Sequence, residues 1–156
     1  MGSVLAYFED TEASADNNFE VGTWAVSANG GGSTAAFILQ EPAAGAQGTH
    51  SWAVTNTGSV PAYVDMSVSV AVTGNVTMAD YVLIHLYVAG YVGSIYGSGD
   101  SFLPINGAAG AHDTNLLLAP GNIINIALDW KVSEAYVPNT GDKVVLNMNF
   151  NIKPAP

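Results

Sequence analysis

Arginine and cysteine are both absent from this 156-residue chain, and lysine occurs only three times. Without cysteine there is no disulfide and no thiolate metal site. Three lysines against 13 carboxylates leave a formal net charge of −10. That balance argues against nucleic acid and anionic lipid as partners, because both are held by basic surface. It also leaves phosphate or carboxylate substrates few natural ligands. Long apolar runs are missing as well. None approaches the roughly 20 residues a spanning helix needs, so no membrane insertion is expected. Charged residues make up only 10% of the chain, so its surface has to be Ser, Thr, Asn, Gly and Ala. Such a surface suits an extracellular protein packed against copies of itself.

Helical periodicity is nearly absent, and period-two alternation takes its place. Strands are predicted at 19–27, 35–40, 50–56, 62–73, 81–88, 123–132 and 143–152. The clearest is Ala62 to Thr73, where Val64, Met66, Val68, Val70 and Val72 alternate with polar residues, as in a half-buried antiparallel strand. Tyr81 to Val88 is apolar on both faces and reads as a central, doubly covered strand. Ala89 to Asp113 is Gly-rich with short apolar islands and reads as long loops or an edge hairpin. In the last two strands Ile124, Ile126, Leu128, Trp130 and Val132, then Val144, Leu146, Met148, Phe150 and Ile152, face inward. Asn147, Asn149 and Asn151 face out, either to solvent or to an identical neighbour. Strands at this spacing with Gly/Pro turns imply an all-β sandwich of jelly-roll or Ig-like type.

Catalytic signatures are missing. His50, His85 and His112 form no H-E-x-x-H or other close-spaced ligand pair, and neither a G-x-S-x-G elbow nor a phosphate loop occurs. No enzyme is predicted. His85 reads as a structural histidine within its strand, and His112-Asp113 is an isolated pair in a loop. The acidic run Glu9, Asp10, Glu12 and Asp16 offers oxygen ligands for calcium, or reads as a solvated linker. No other cofactor is implied. Asn75-Val76-Thr77 is the one N-x-[ST] sequon, a glycosylation candidate in the turn after the Ala62 strand. Tyr91 and Tyr96 offer stacking surfaces for a sugar, which would make the chain a cell-surface binding or adhesion module.

The N-terminal run Ser3, Val4, Leu5, Ala6, Tyr7 and Phe8 is apolar on both faces and precedes a polar hinge, residues 9–18. Left in water, it invites aggregation. It docks either in its own sandwich or, by strand donation, in a neighbour's. Burying four of its side chains contributes about 1.5–3 kcal/mol each, while ordering its backbone costs about 1–2 kcal/mol per residue. Apolar burial alone about breaks even. Ladder hydrogen bonds, at about 1 kcal/mol net each, tip the sum toward docking. The strand needs a sheet edge as well as an apolar slot.

Tyr7-Phe8-Glu9-Asp10-Thr11-Glu12-Ala13-Ser14, followed by Asn18-Phe19-Glu20-Val21-Gly22-Thr23, resembles the N-terminal signature of the TasA/camelysin group. Val54-Thr55-Asn56-Thr57-Gly58-Ser59-Val60-Pro61-Ala62-Tyr63-Val64 is similar to that group's strand–turn–strand, and Ala119-Pro120-Gly121-Asn122 to a later turn. The likeness spans about the first 70 residues. It departs at Pro42 and Gly45, adjacent in the family and three apart here, and at Trp24, where Leu is usual. The resemblance implies a jelly-roll-like sandwich, a cleaved leader and secretion into fibres of the biofilm matrix. It also implies a homopolymer with lateral bundling, since archaeal relatives build bundling pili by N-terminal strand donation. Some camelysins are described as metallopeptidases, but no recognisable zinc ligands occur here and that activity is not carried over. The expected organisation is a donor strand at 1–8, a hinge at 9–18 and a β-sandwich at 19–156.

Overall fold

The computed structural model describes residues 26–28 and 32–154, which are mostly strand. The strands are β1 (Val26–Ala28), β2 (Thr34–Gln40), β3 (Gln47–Asn56), β4 (Ala62–Thr73), β5 (Val82–Val88), β6 (Leu103–Pro104), β7 (Gly110–Leu118), β8 (Ile123–Val132) and β9 (Lys143–Pro154). A single helical turn, Met78–Tyr81, leads into β5, and a 3₁₀ turn, Ile105–Ala108, leads into β7. The expected donor strand, the hinge and most of the 19–27 strand lie outside the described residues.

Four antiparallel pairs are nested one inside the next: β5 with β6, β4 with β7, β3 with β8 and β2 with β9. Winding this long hairpin on itself gives the order β2-β9-β4-β7 in one sheet and β3-β8-β5-β6 in the other, with β1 added beside β3. The result is a jelly-roll sandwich, the all-β form expected from the sequence.

Alternation explains why these segments take these places. Val64, Met66 and Val68 of β4 and Val144, Leu146, Met148 and Phe150 of β9 are buried on one inner face. Trp52 and Val54 of β3, Ile84 and Leu86 of β5, and Ile124, Ile126 and Leu128 of β8 meet them from the other. Each such side chain contributes roughly 1.5–3 kcal/mol of burial. A register slip by one residue would turn all of them to solvent.

Two expectations are corrected. β5 is not doubly covered: Leu83, His85 and Tyr87 are half-buried between fully buried neighbours, and Tyr81 closes the helical turn instead of opening the strand. Its outer face is crossed by the 94–102 segment, where Gly97 has φ +72° and a Cβ there would come within 2.6 Å of the Ile84 carbonyl oxygen. Only glycine lets that segment lie so close. Trp130, by contrast, faces inward as expected, half-buried with its ring 5.9 Å from that of Phe37 in the opposite sheet. Its ring covers Gly48, where a Cβ would lie 2.9 Å from Cζ2. The Gly-rich 89–113 region is neither all loop nor a closed hairpin, because β7 begins inside it.

Candidate assembly edge

β7 ends the four-stranded sheet. Among the described residues its only ladder partner is β4. The pairing starts at Ala62 with Leu118 and Tyr63 with Leu117, then jumps to Asp65 with Asp113, so β7 carries a two-residue bulge. Local hydrogen bonds hold it. Thr114 Oγ1 donates to the Val64 carbonyl at 2.9 Å, replacing a ladder bond, and the Leu116 amide donates back to Thr114 Oγ1 at 3.2 Å. Asn115 takes φ +56°, a conformation Asn tolerates, and its amide donates to Asp113 Oδ1 at 2.8 Å.

The bulge opens onto the 88–95 segment across a cleft of about 380 Å³, with Val88, Val92, Ile95, Thr114 and Leu116 among its lining residues. Gly93, Ser94, Asp113 and Asn115 complete a lining that is polar and apolar in about equal parts. Two of its apolar side chains stand unburied: Tyr91 is 54% exposed and Val92 is entirely in solvent. A strand edge that is unpaired among the described residues, beside a cleft with apolar walls, is the kind of place where strand addition occurs. Sequence reasoning missed it because Gly110 and Ala111 have little side chain to alternate and the bulge breaks the period. A second edge is partly open. β1 pairs with β3 only over Val54–Asn56, so among the described residues Gln47–Trp52 has a ladder neighbour, β8, on one side alone.

Beside the cleft, Lys153 Nζ lies 2.5 Å from Asp113 Oδ2 and 3.5 Å from Asp65 Oδ1. The hydrogen bond to Lys153 holds the Asp113 carboxyl below its usual range. Burial, helped by Asp113, pushes Asp65 above it, and Asp113 in turn raises the lysine. Two carboxylates thus share one cation. The three residues are far apart in sequence, and only the β4–β7 and β4–β9 registers bring them together.

The other candidates are placed as follows. Ser3 to Phe8 and the acidic residues Glu9, Asp10, Glu12 and Asp16 lie outside the described residues. Asn75 is exposed. Its Oδ1 accepts from the Thr77 amide at 3.1 Å and the Thr77 hydroxyl at 2.8 Å, which curls the sequon into a tight turn on the surface. His112 and Asp113 diverge, the imidazole to the Ala108 carbonyl at 2.7 Å and the carboxylate to Lys153. His50 packs at a tilt against the rings of Trp52 and Phe37. Tyr96 is no stacking surface, because it is half-buried and its hydroxyl donates to the Pro104 carbonyl at 2.6 Å. Tyr91 keeps its ring free for contact.

His85 stands between Ser94 and Asp129 in an order reminiscent of a hydrolytic triad. Its Nε2 is 2.8 Å from Ser94 Oγ, but its Nδ1 is 3.9 Å from Asp129 Oδ2 and makes no hydrogen bond. Asp129 is held instead by Thr49 Oγ1 at 2.8 Å and the Tyr87 hydroxyl at 3.4 Å. The carboxylate therefore does not orient the imidazole as a general base would require. Among the described residues no three His, Asp or Glu side chains converge on a metal position. No protein-family model, curated protein or solved structure matches the chain.

Proposed function

We propose that this chain is a structural subunit of an extracellular filament of the biofilm matrix, polymerising when residues 3–8 of one copy add to β7 of the next. The carrying observation is the edge of β7, unpaired among the described residues, lying along a cleft of mixed polar and apolar lining. A strand that is apolar on both faces needs both a ladder and a slot, and this edge supports that reading with a free ladder and the apolar residues Val88, Val92, Ile95 and Leu116. Tyr91 and Val92 are the exposed apolar surface that docking would cover. The likeness of about the first 70 residues to the TasA/camelysin group points the same way. In this reading the chain is a secreted homopolymer without catalytic activity. The reading requires no cofactor; Glu9, Asp10, Glu12 and Asp16 remain calcium candidates and Asn75 a glycosylation candidate within it.

Electron microscopy of the purified full chain tests the proposal. The wild type forms uniform filaments, whereas Leu5→Asp, which charges the donor strand, and Val92→Asp, which charges the cleft wall, do not, and both keep native circular dichroism. Filaments from Leu5→Asp would sink strand donation. Filaments from Val92→Asp but not Leu5→Asp would move the acceptor to another edge, with Gln47–Trp52 of β3 next. The exposed ring of Tyr91 over the cleft favours a second reading, a surface module that binds glycans there. A glycan-array signal from strictly monomeric protein, lost in Tyr91→Ala, would favour that reading.

A further inference from the structure

Two Asn-Gly dipeptides occur in the chain, Asn29-Gly30 and Asn106-Gly107. The pair is prone to cyclise, because a glycine has no Cβ to keep its amide nitrogen away from the preceding asparagine side chain. Asn29-Gly30 lies outside the described residues. Asn106 and Gly107 are exposed in the 3₁₀ turn that leads into β7, while Ile105 and Ala108 of the same turn are fully buried.

Packing fixes the identity of both residues. A Cβ on Gly107 would run into the hydroxyl oxygen of Tyr96, whose half-buried ring is tied by donation to the Pro104 carbonyl at 2.6 Å. Asn106 Nδ2 donates to Asp80 Oδ1 at 2.6 Å, which joins this turn to the helical turn before β5. Met78 and Ala79 of that helical turn are buried in the same core as Ile105. A reactive dipeptide is thus retained where the fold requires glycine at one position and a side-chain donor at the other.

We propose that Asn106 is a site of self-modification and that Asp80 restrains it. The reaction needs only the chain and water. The Gly107 amide nitrogen gives its proton to solvent and attacks Asn106 Cγ. A C–N bond forms, the side-chain amide leaves as ammonia, and a cyclic imide remains. Water then adds to either imide carbonyl and breaks its bond to nitrogen, leaving aspartate or isoaspartate. Expelling Nδ2 is incompatible with its charge-assisted bond to Asp80, so that bond has to break first. The step runs one way and ends in repulsion, because a carboxylate at position 106 faces Asp80 where a donor stood. Isoaspartate also lengthens the main chain by one carbon inside a tight 3₁₀ turn. Either product loosens the junction that carries Ile105, Met78 and Ala79 into the core. Neither Asp80 nor Asn106 belongs to β7 or to residues 3–8, so the chemistry is independent of assembly.

Peptide mapping by mass spectrometry tests this on the full chain incubated at mildly alkaline pH, with an isoaspartyl methyltransferase assay reporting the isoaspartate. Asn106 should react about fivefold faster in Asp80→Ala than in wild type, the effect of losing one net hydrogen bond. Asp80→Asn, whose side-chain oxygen can accept the same bond, should stay slower than Asp80→Ala. Asn29 is the reference in every digest and should react at one rate in all three proteins. A rate in Asp80→Ala equal to or below that of wild type would overturn the restraint. An unmodified Asn106 in Asp80→Ala, over a time that converts Asn29, would overturn the site. Wild type held in urea gives the rate without a fold. If Asp80→Ala matches it, that variant is unfolded and the reaction product decides instead. Asn106→Asp should then unfold at lower urea than Asn106→Ala, because it adds repulsion to the lost bond, and equal midpoints would overturn the proposal.

Discussion

The side chain of Asn56, at the end of β3 in one sheet, donates at 2.9 Å to the carbonyl of Leu118, at the end of β7 in the other. Its second amide hydrogen goes to the Val60 carbonyl at 2.9 Å, and its Oδ1 accepts from the Gly58 amide at 2.9 Å. Asn56 is fully buried, and these three bonds tie the 57–61 turn and both sheets to one point. Asn56→Ala would leave two carbonyls and an amide without that partner, a loss of about 1–3 kcal/mol. Urea unfolding should show a lower midpoint at unchanged slope. Asn56→Asp should cost more than Asn56→Ala, because a carboxylate placed there faces two carbonyl oxygens.

Gly48 carries a different constraint. A Cβ at that position would lie within 2.9 Å of the Trp130 ring, so Gly48→Ala must displace the indole. Overpacking of this kind costs about 1–3 kcal/mol. Tryptophan emission should shift to the red as Trp130 moves toward water. If the emission is unchanged, the ring is not seated on Gly48.

Tyr136 and Asp142, both buried in the β8–β9 connection, determine how the fold responds to pH. The Tyr136 hydroxyl donates to Asp142 Oδ2, and the Asn75 amide donates to Asp142 Oδ1 at 2.8 Å. The Tyr136 bond chiefly, then the Asn75 amide, hold the Asp142 carboxyl below its usual range. Burial, followed by the bond to Asp142, pushes Tyr136 up to about 12. The signs oppose each other. Asp142 adds stability above the ordinary carboxylate pKa, and that stability is lost as pH falls through its lowered value. Tyr136 adds stability that is complete below its ordinary value near 10 and is lost as pH climbs toward about 12. Thermal midpoints followed across pH should fall at both ends. Tyr136→Phe should be less stable near neutrality but lack the tyrosine's part of the alkaline decline. An identical alkaline limb in the variant would refute the assignment.

Lys153 offers a fourth handle. Its replacement in Lys153→Met leaves Asp65 and Asp113 facing each other across β4 and β7 with no cation between them. Like charges at that separation raise each other's pKa. The variant should be less stable than wild type at pH 7, and the deficit should shrink as pH falls toward about 4, where carboxylates take up protons. A deficit that does not change with pH would mean that the lysine acts through packing alone.

Much of the sandwich was legible in the sequence, because burial on one face of a strand imposes a period of two. Ala62–Thr73 agrees with the structure at both ends, and the inward sets of β8 and β9 agree, with Trp130 and Ile152 half-buried against the core. β5 misled because Leu83, His85 and Tyr87 are large and partly apolar, yet a loop covers them rather than a sheet. β7 was illegible because glycine, alanine and a bulge erase the alternation. The assembly edge was hidden with it. Asn56 stood within the motif that carried the family likeness, but its role depends on Leu118, which only the folded chain brings near. The same holds for Asp65, Asp113 and Lys153.

The nesting of the strand pairs has a consequence for how the chain matures. β9, the last of the described strands, occupies the interior of its sheet, paired along its length with β4 and from Lys143 to Asn149 with β2. A polypeptide emerging from its N-terminus presents β2 and β4 long before the strand that must lie between them. The innermost pair, β5 with β6, can close early, whereas the outermost joins Thr34 to Asn149. Pairings so distant along the chain fold slowly and leave strand edges open meanwhile. Completion of this sheet therefore waits on β9 to emerge, and any premature stop before β9 leaves β2 and β4 without the neighbour that joins them.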